Sequence, residues 1–245
     1  MALNKFLFGT VSALLLRKTM KQIFINRQNA GLLLASQINL LPKVDIQNSV
    51  VLALPRGGVP VASEISKRLN IPFDVLIVRK IGHPFHPEYG IGAIAEDGVC
   101  WMDPEAVGLS KITPEQIQNI LEQEKKEIDR RLSIYRQGRP LMPLKGKTVI
   151  LVDDGLATGA TARVAVDYAR KNGASKIILA IPICSGHTAR RLREEIDDVI
   201  CLNEPTYFQN VGDFYHDFIQ LSDEEVLNLL PNKKENIRAH GGAYV

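Results

Sequence analysis

The residues best equipped for chemistry in this chain are two adjacent carboxylates and the small-residue run that follows them. Residues 149–161 read VILVDDGLATGAT. The first five, 149–153, suit a buried parallel strand that delivers Asp153 and Asp154 at its carboxyl end, where open α/β sheets bind their ligands. From Gly155 through Leu156, Ala157, Thr158, Gly159 and Ala160 to Thr161 the side chains are small or hydroxylic, so backbone N–H groups can close around a phosphate monoester while Thr158 and Thr161 add hydroxyl donors. The stretch ATARVAVDYARKNG then reads as a helix stopped at Gly173, its positive end aimed at the same phosphate. Asp153 and Asp154 suit the neighbouring ribose hydroxyls, directly or through a metal's water shell.

This ordered string closely resembles the phosphoribosyl pyrophosphate (PRPP) loop of the type I phosphoribosyltransferases, in which hydrophobic residues precede two acids and a small-residue stretch ending T-G-x-T. A second element is similar to that family's pyrophosphate loop. A strand near 50–54 runs into Pro55, Arg56, Gly57 and Gly58, and a helix follows over 59–69. The two glycines permit close backbone approach, and the helix start is a second anion site. The resemblance implies a catalytic role for Arg56, Asp153 and Asp154, and magnesium held by the acid pair or its water shell. It also implies a lid over bound PRPP at residues 81–89, where Gly82, Pro84, Pro87 and Gly90 argue for an irregular loop. Arg79 and Lys80, ending the strand before it, would meet pyrophosphate, Lys80 as a catalytic group.

Other motifs fail. His83 and His86 lack a third metal ligand. Gly146-Lys147-Thr148 looks like the end of a Walker A loop, but Leu141 stands where its first glycine belongs, and the tripeptide precedes a strand. No G-x-G-x-x-G opens a helix, and Cys184-Ser185-Gly186-His187 fits an ordinary loop better than a nucleophile and base.

The elements that must position these residues alternate. Strands are expected near 49–54, 73–78, 91–95, 148–153, 176–183 and 198–202, with the VCWM run after Gly98 pairing back as a hairpin. Helical patterns between them imply an α/β fold, a mostly parallel twisted sheet with helices on both faces. Residues 26–39 form an amphipathic helix with Ala30, Leu33, Leu34 and Ile38 on one side. Thr113-Pro114-Glu115-Gln116 opens an inserted surface helix over 113–136 with a capping box. Its apolar stripe runs from Ile117 to Tyr135, and it offers Glu122–Lys126 and Glu127–Arg131 pairs. We expect simple packing for it. A small C-terminal hood over 203–230 would offer Tyr207 or Phe208 for stacking on an acceptor base.

Composition sets the boundaries. With 245 residues, 45% of them hydrophobic, the chain can build one large domain over 23–230. A formal charge of +3 without a basic, aromatic-interleaved run argues against nucleic acid as a partner. Cys100, Cys184 and Cys201 read as reduced core thiols of a cytoplasmic protein. Residues 6–16 are apolar but too short to span a membrane, which takes roughly 20 residues. Residues 1–22 are therefore expected to be an extension, either packed on the domain or a partner or lying upstream of a start at Met20, and 231–245 a polar tail. Homo-oligomerisation stays open. The expected function is transfer of the phosphoribosyl group of PRPP to a nitrogenous acceptor, a base, with release of pyrophosphate in nucleotide salvage. The alternatives are a PRPP-binding regulator without turnover and a phosphoribosyl-binding hydrolase. Ala157 stands where hypoxanthine-guanine members place an aspartate; the adenine-type D-D-x-x-A-T-G is closer.

Overall fold

In the computed structural model, residues 23–42, 44–109 and 112–231 are described, so the 1–22 extension and residues 232–245 of the expected tail lie outside the described residues. The strands in chain order are β1 (Ser49–Ala53), β2 (Phe73–Val75), β3 (Val78–His83), β4 (His86–Ala95), β5 (Cys100–Met102), β6 (Thr148–Val152), β7 (Lys176–Ile183) and β8 (Asp198–Asn203). The helices are α1 (Arg27–Leu40), α2 (Gly58–Leu69), α3 (Pro104–Leu109), α4 (Pro114–Arg136), α5 (Ala160–Lys171), α6 (Gly186–Glu195) and α7 (Asp223–Leu229). Five strands pair in parallel in the order β2-β1-β6-β7-β8, and β3-β4-β5 form a second, antiparallel sheet.

The central strands are apolar throughout because both faces are covered. Val149 and Leu151 of β6 pack with Ala162, Ala165 and Leu192 of α5 and α6. Ile150 and Val152 of the same strand pack on the opposite face, with Leu34, Val61 and Tyr135 of α1, α2 and α4. Each parallel crossover brings a loop to the carboxyl edge of the sheet, which is where the Arg-Gly-Gly and Asp-Asp sequences emerge. On α1, Ala30, Leu34 and Ile38 are buried as expected, whereas Leu33 is exposed and Gly31 and Ala35 take the inner face instead. A β-carbon on Gly31 would lie 2.6 Å from the Val61 carbonyl oxygen, so close packing against α2 decides which side of α1 turns inward.

Three expectations change. The run over 73–78 is two strands: the chain leaves the parallel sheet after Val75 and enters the antiparallel one at Val78. Between them a buried ion pair, Glu96 with Arg136, satisfies the exchanged backbone. Glu96 accepts from the Ile77 N–H (3.1 Å) and Arg136 donates to the Val75 carbonyl (3.0 Å). Residues 81–89 form no irregular loop. They complete a hairpin in which Gly82 pairs with Gly90 and His83 with His86. A β-carbon on Gly82 would stand 2.6 Å from the Pro87 carbonyl oxygen, and register shifts on either side of Gly82 absorb the proline. Among the cysteines, Cys184 is buried and Cys201 partly so, but Cys100 is exposed.

Helix α4 begins with the expected capping box between Thr113 and Gln116. Of its surface pairs, Glu127–Arg131 forms at 2.7 Å, while Glu122 accepts instead from Gln118. After β8 the chain wraps as a hood in which Phe24 bridges to Tyr215, and Phe208, Phe214 and Phe218 join them in a small apolar cluster.

Arg136→Ala should destabilise the protein by about 3–5 kcal/mol, because it strands the buried Glu96 carboxylate. Urea unfolding measures this, and a loss below 1 kcal/mol would show that water reaches that carboxylate.

Candidate active site

The loop after β6 is held from outside and left open within. The Leu156 N–H donates to the Ile183 carbonyl (2.9 Å), and the Thr188 hydroxyl donates to the Ala157 carbonyl (2.7 Å). Gly159, at φ +78°, turns the chain into α5. Among the described residues, the N–H groups of Ala157, Thr158, Gly159, Ala160 and Thr161 have no protein acceptor. Five consecutive open donors at a helix N-terminus form an anion nest. Thr158 is exposed on the loop and Thr161 half-buried on the first turn of α5.

The acid pair joins this nest to the Arg-Gly-Gly loop. Gly57 lies so close to Asp154 that a β-carbon there would collide with the carboxylate, and one on Gly58 would stand 2.5 Å from the Val152 carbonyl oxygen. The two glycines are thus required by the neighbouring strand end. The Arg56 and Gly57 N–H groups also lack protein acceptors among the described residues, and the Pro55–Arg56 peptide is cis. Asp154 accepts from Arg27 Nε at 2.8 Å, and its carbonyl accepts from the Tyr215 hydroxyl at 2.7 Å. Asp153 Oδ1 caps the Asp154 N–H at 2.8 Å. Burial, then the neighbouring Asp154 charge, pushes the Asp153 carboxyl well above the ordinary carboxylate range. Burial also raises Asp154, against the opposing pull of Arg27.

Beside the pair opens a cleft of about 470 Å³ lined by Arg27, Arg56, Arg79, Arg131, Phe218 and Gln220 among others. Each arginine is backed by a carboxylate: Arg27 by Asp154 (2.8 Å), Arg79 by Glu124 (2.7 Å), Arg131 by Glu127 (2.7 Å) and Arg56, more loosely, by Asp223 (3.9 Å). The guanidinium of Arg27 lies 3.8 Å over the Phe218 ring.

Of the residues expected here, Arg56, Gly57 and Arg79 line the cleft and Gly57 and Gly58 abut the Asp153–Asp154 strand end, whereas Thr158, Gly159 and Ala160 of the following loop line a separate pocket with Trp101, Arg163 and Thr188. Lys80 does not line the cleft. It follows Arg79 on an extended strand, so it points to the other face, and its ammonium donates to the Glu88 carbonyl (3.0 Å) along the hairpin. Tyr207 is exposed and Phe208 stacks on Phe214 inside the hood, leaving Phe218 as the ring on the cleft wall. Arg27, Arg131 and Phe218 escape sequence reasoning. Arg27 opens a helix legible only by its apolar face, and Arg131 looks like half of a surface pair. Among the described residues no group of three or more His, Cys, Asp or Glu side chains converges to cage a metal.

Because folding raises the Asp153 pKa, the unfolded chain releases this proton more readily than the folded one, which costs stability. That cost is absent below the unfolded value of about 3.9, grows as pH rises above it, and is complete once pH exceeds the folded pKa. Asp153→Asn should therefore melt at a higher temperature than the wild type at neutral pH, and the difference should shrink toward about pH 3.5, below the unfolded value. Thermal scans across pH measure it, and an equal gain at both ends would assign the effect to something other than charge.

Comparisons with known proteins agree with this geometry. A phosphoribosyl transferase domain model matches residues 25–219. A Mycobacterium tuberculosis (strain H37Rv) protein, named provisionally as a phosphoribosyl transferase, is 42% identical over 209 residues, which is 85% of this chain and 46% of that protein. The chain thus spans about half the length of this curated relative. The Brevibacillus brevis bifunctional protein PyrR is 36% identical over 88 residues, 36% of this chain and 45% of that protein. Among solved structures, TT1426 from Thermus thermophilus is 36% identical with a TM-score of 0.71, covering 85% of this chain and 97% of that one. The domain match takes in both loops, the inserted helix and most of the hood, and the chain belongs to the phosphoribosyl transferase domain family.

Proposed function

We propose that the protein transfers the phosphoribosyl group of PRPP to a nitrogenous acceptor, a nucleobase, and releases pyrophosphate. The observation that carries this reading is the abutment of Gly57 on Asp154, which sets the Arg56 loop and the open N–H nest on either side of one carboxylate pair. The nest suits the 5-phosphate, the acid pair the ribose hydroxyls, and Arg56 with its free N–H groups the pyrophosphate. PRPP would span all three, with its anomeric carbon beside the cleft.

In this reaction an acceptor nitrogen forms a bond to C1 while the C1–O bond to pyrophosphate breaks and its electron pair leaves with the phosphate oxygen. The sugar becomes oxocarbenium-like, so the protein's work is to hold C1 in line and meet the charge gathering on the leaving group. Arg56 is placed for the second task and Asp153 and Asp154 for the first. The site fits magnesium carried in with substrate: the pair offers carboxylate oxygens, as suits an ion bound through one or two carboxylates with waters and substrate phosphates completing its shell. When bound it would neutralise pyrophosphate charge. The cleft's platform of Arg27 on Phe218 is flat enough for a planar base. Ala157 supplies no proton acceptor.

Pyrophosphate release from PRPP with magnesium and a panel of purine and pyrimidine bases tests the reading. Release with at least one base is expected; tight PRPP binding with no release for any acceptor would favour a PRPP-binding regulator. Asp153→Asn combined with Asp154→Asn should weaken PRPP turnover by about 10²- to 10³-fold, the scale for a lost, positioned electrostatic contact, with far-UV circular dichroism unchanged. Arg56→Ala should impair pyrophosphate binding and spare ribose 5-phosphate, since a guanidinium fork matches phosphate oxygens. The opposite pattern in titration calorimetry would reverse the two loop assignments.

A further inference from the structure

Helix α4 does more than cover the sheet. Its Arg131 turns inward until only 8% of the side chain is exposed, a burial that arginine rarely reaches without full pairing. Its Nε donates to Glu127 (2.7 Å) and its Nη1 reaches the carbonyl of Pro55 (3.4 Å), at the base of the Arg-Gly-Gly loop. Nη2 has no protein acceptor among the described residues, and the residue lines the cleft beside Arg56. Two turns earlier on the same helix, Glu124 grips Nε of Arg79 (2.7 Å), which lines that cleft too.

The charges around Arg131 do not balance. Glu127 also takes two bonds from Arg130, through Nε (2.7 Å) and Nη2 (2.9 Å), and Arg130 shares Asp223 with Arg56. Arg56, Arg130 and Arg131 thus divide two carboxylates, Glu127 and Asp223, so this ion-pair group behind the cleft holds one more positive than negative charge. Glu127 is held down to about 2, first by its bond from Arg130, so protonation does not alter this balance near neutrality. A nearly buried, half-paired guanidinium in a net-positive ion-pair group calls for an anion.

Resting on the transfer reading above, we infer that Arg131 is a second leaving-group residue: aimed by Glu127, it binds a non-bridging oxygen of the pyrophosphate moiety opposite Arg56. As the C1–O bond breaks, the electron pair departs with pyrophosphate, and the fork of Arg131 meets the added charge. Glu127 is then a positioning residue that acts through Arg131 and does not touch substrate. The inserted helix supplies part of the active site, and its two glutamates set the orientation of two cleft arginines.

The test uses Arg131→Gln and Arg131→Lys in the full chain. Removing the guanidinium leaves Glu127 paired with Arg130, so no carboxylate is stranded. With magnesium present, calorimetric affinity for inorganic pyrophosphate should fall about 10- to 100-fold in Arg131→Gln, the scale of a hydrogen bond to a charged group, with ribose 5-phosphate affinity unchanged. Turnover of PRPP should lose more in kcat than in KM, and Arg131→Lys should recover part of the loss. Glu127→Gln should weaken pyrophosphate binding less than Arg131→Gln does. A folded Arg131→Gln that binds pyrophosphate like the wild type overturns the inference while leaving the transfer reading intact. If Arg131→Gln does not fold, Arg131→Lys decides, and wild-type pyrophosphate affinity there overturns it. A wild-type protein that binds neither pyrophosphate nor PRPP overturns both.

Discussion

The contact between Gly57 and the carboxylate of Asp154 is the constraint from which the site is built. Strands β1 and β6 are hydrogen-bonded neighbours in register from Ser49 with Thr148 to Ala53 with Val152, so their following loops leave the sheet side by side and compete for the same space. A β-carbon at 58 would run into the backbone of Val152 and Asp153, and one at 57 into the Asp154 carboxylate that Arg27 holds. Once that fit is made, the open N–H groups of Arg56 and Gly57 before α2 and those before α5 are held in a spacing set by the sheet and not by loop flexibility. A phosphorylated sugar that bridges them meets a scaffold already in place, which is the arrangement that limits the entropy lost on binding.

Around that contact the charges are organised by elements remote in sequence. Arg27 comes from the first described helix, Arg79 from the antiparallel sheet, Arg131 from the inserted helix and Asp223 from the hood, yet all border or brace one cleft. The carboxylates behind the arginines make the cleft tolerable in the absence of ligand, since four unpaired guanidinium groups so close together would repel strongly. The close pairs also orient Arg27, Arg79 and Arg131, leaving their remaining N–H groups toward the cleft, while Arg56 is held more loosely.

Much of the frame was legible in the sequence, because strand–helix alternation and apolar runs reflect burial that is local in origin. The order VILVDDGLATGAT and the Pro55–Gly58 run could be read as loops since each carries its requirement for small residues within a few positions. Other features were invisible for physical reasons. Arg27 meets Asp154 across 127 positions, and nothing near residue 27 records that partner. Residues 73–78 looked like one strand because hydrophobicity does not report which sheet a strand joins; the buried Glu96–Arg136 pair that marks the exchange is assembled from two distant segments. The 81–89 hairpin was hidden by its prolines and glycines, which usually interrupt ladders but here sit where a bulge absorbs them.

That hairpin has a mechanical consequence. Strand β4 is buried over its last five residues and exposed or partly so over its first five, so it behaves as a beam clamped at its root, with Phe85 and Tyr89 carried bare toward the free end. Because the ladder ties residues 81–83 to 86–92, the tip is held as one piece and not as separate residues. A flexible segment of that length would lose roughly 1–2 kcal/mol per residue on being pinned. A stiff arm has given up most of that freedom during folding, so any molecule that comes to rest beneath its tip need restrain only a few collective degrees of freedom.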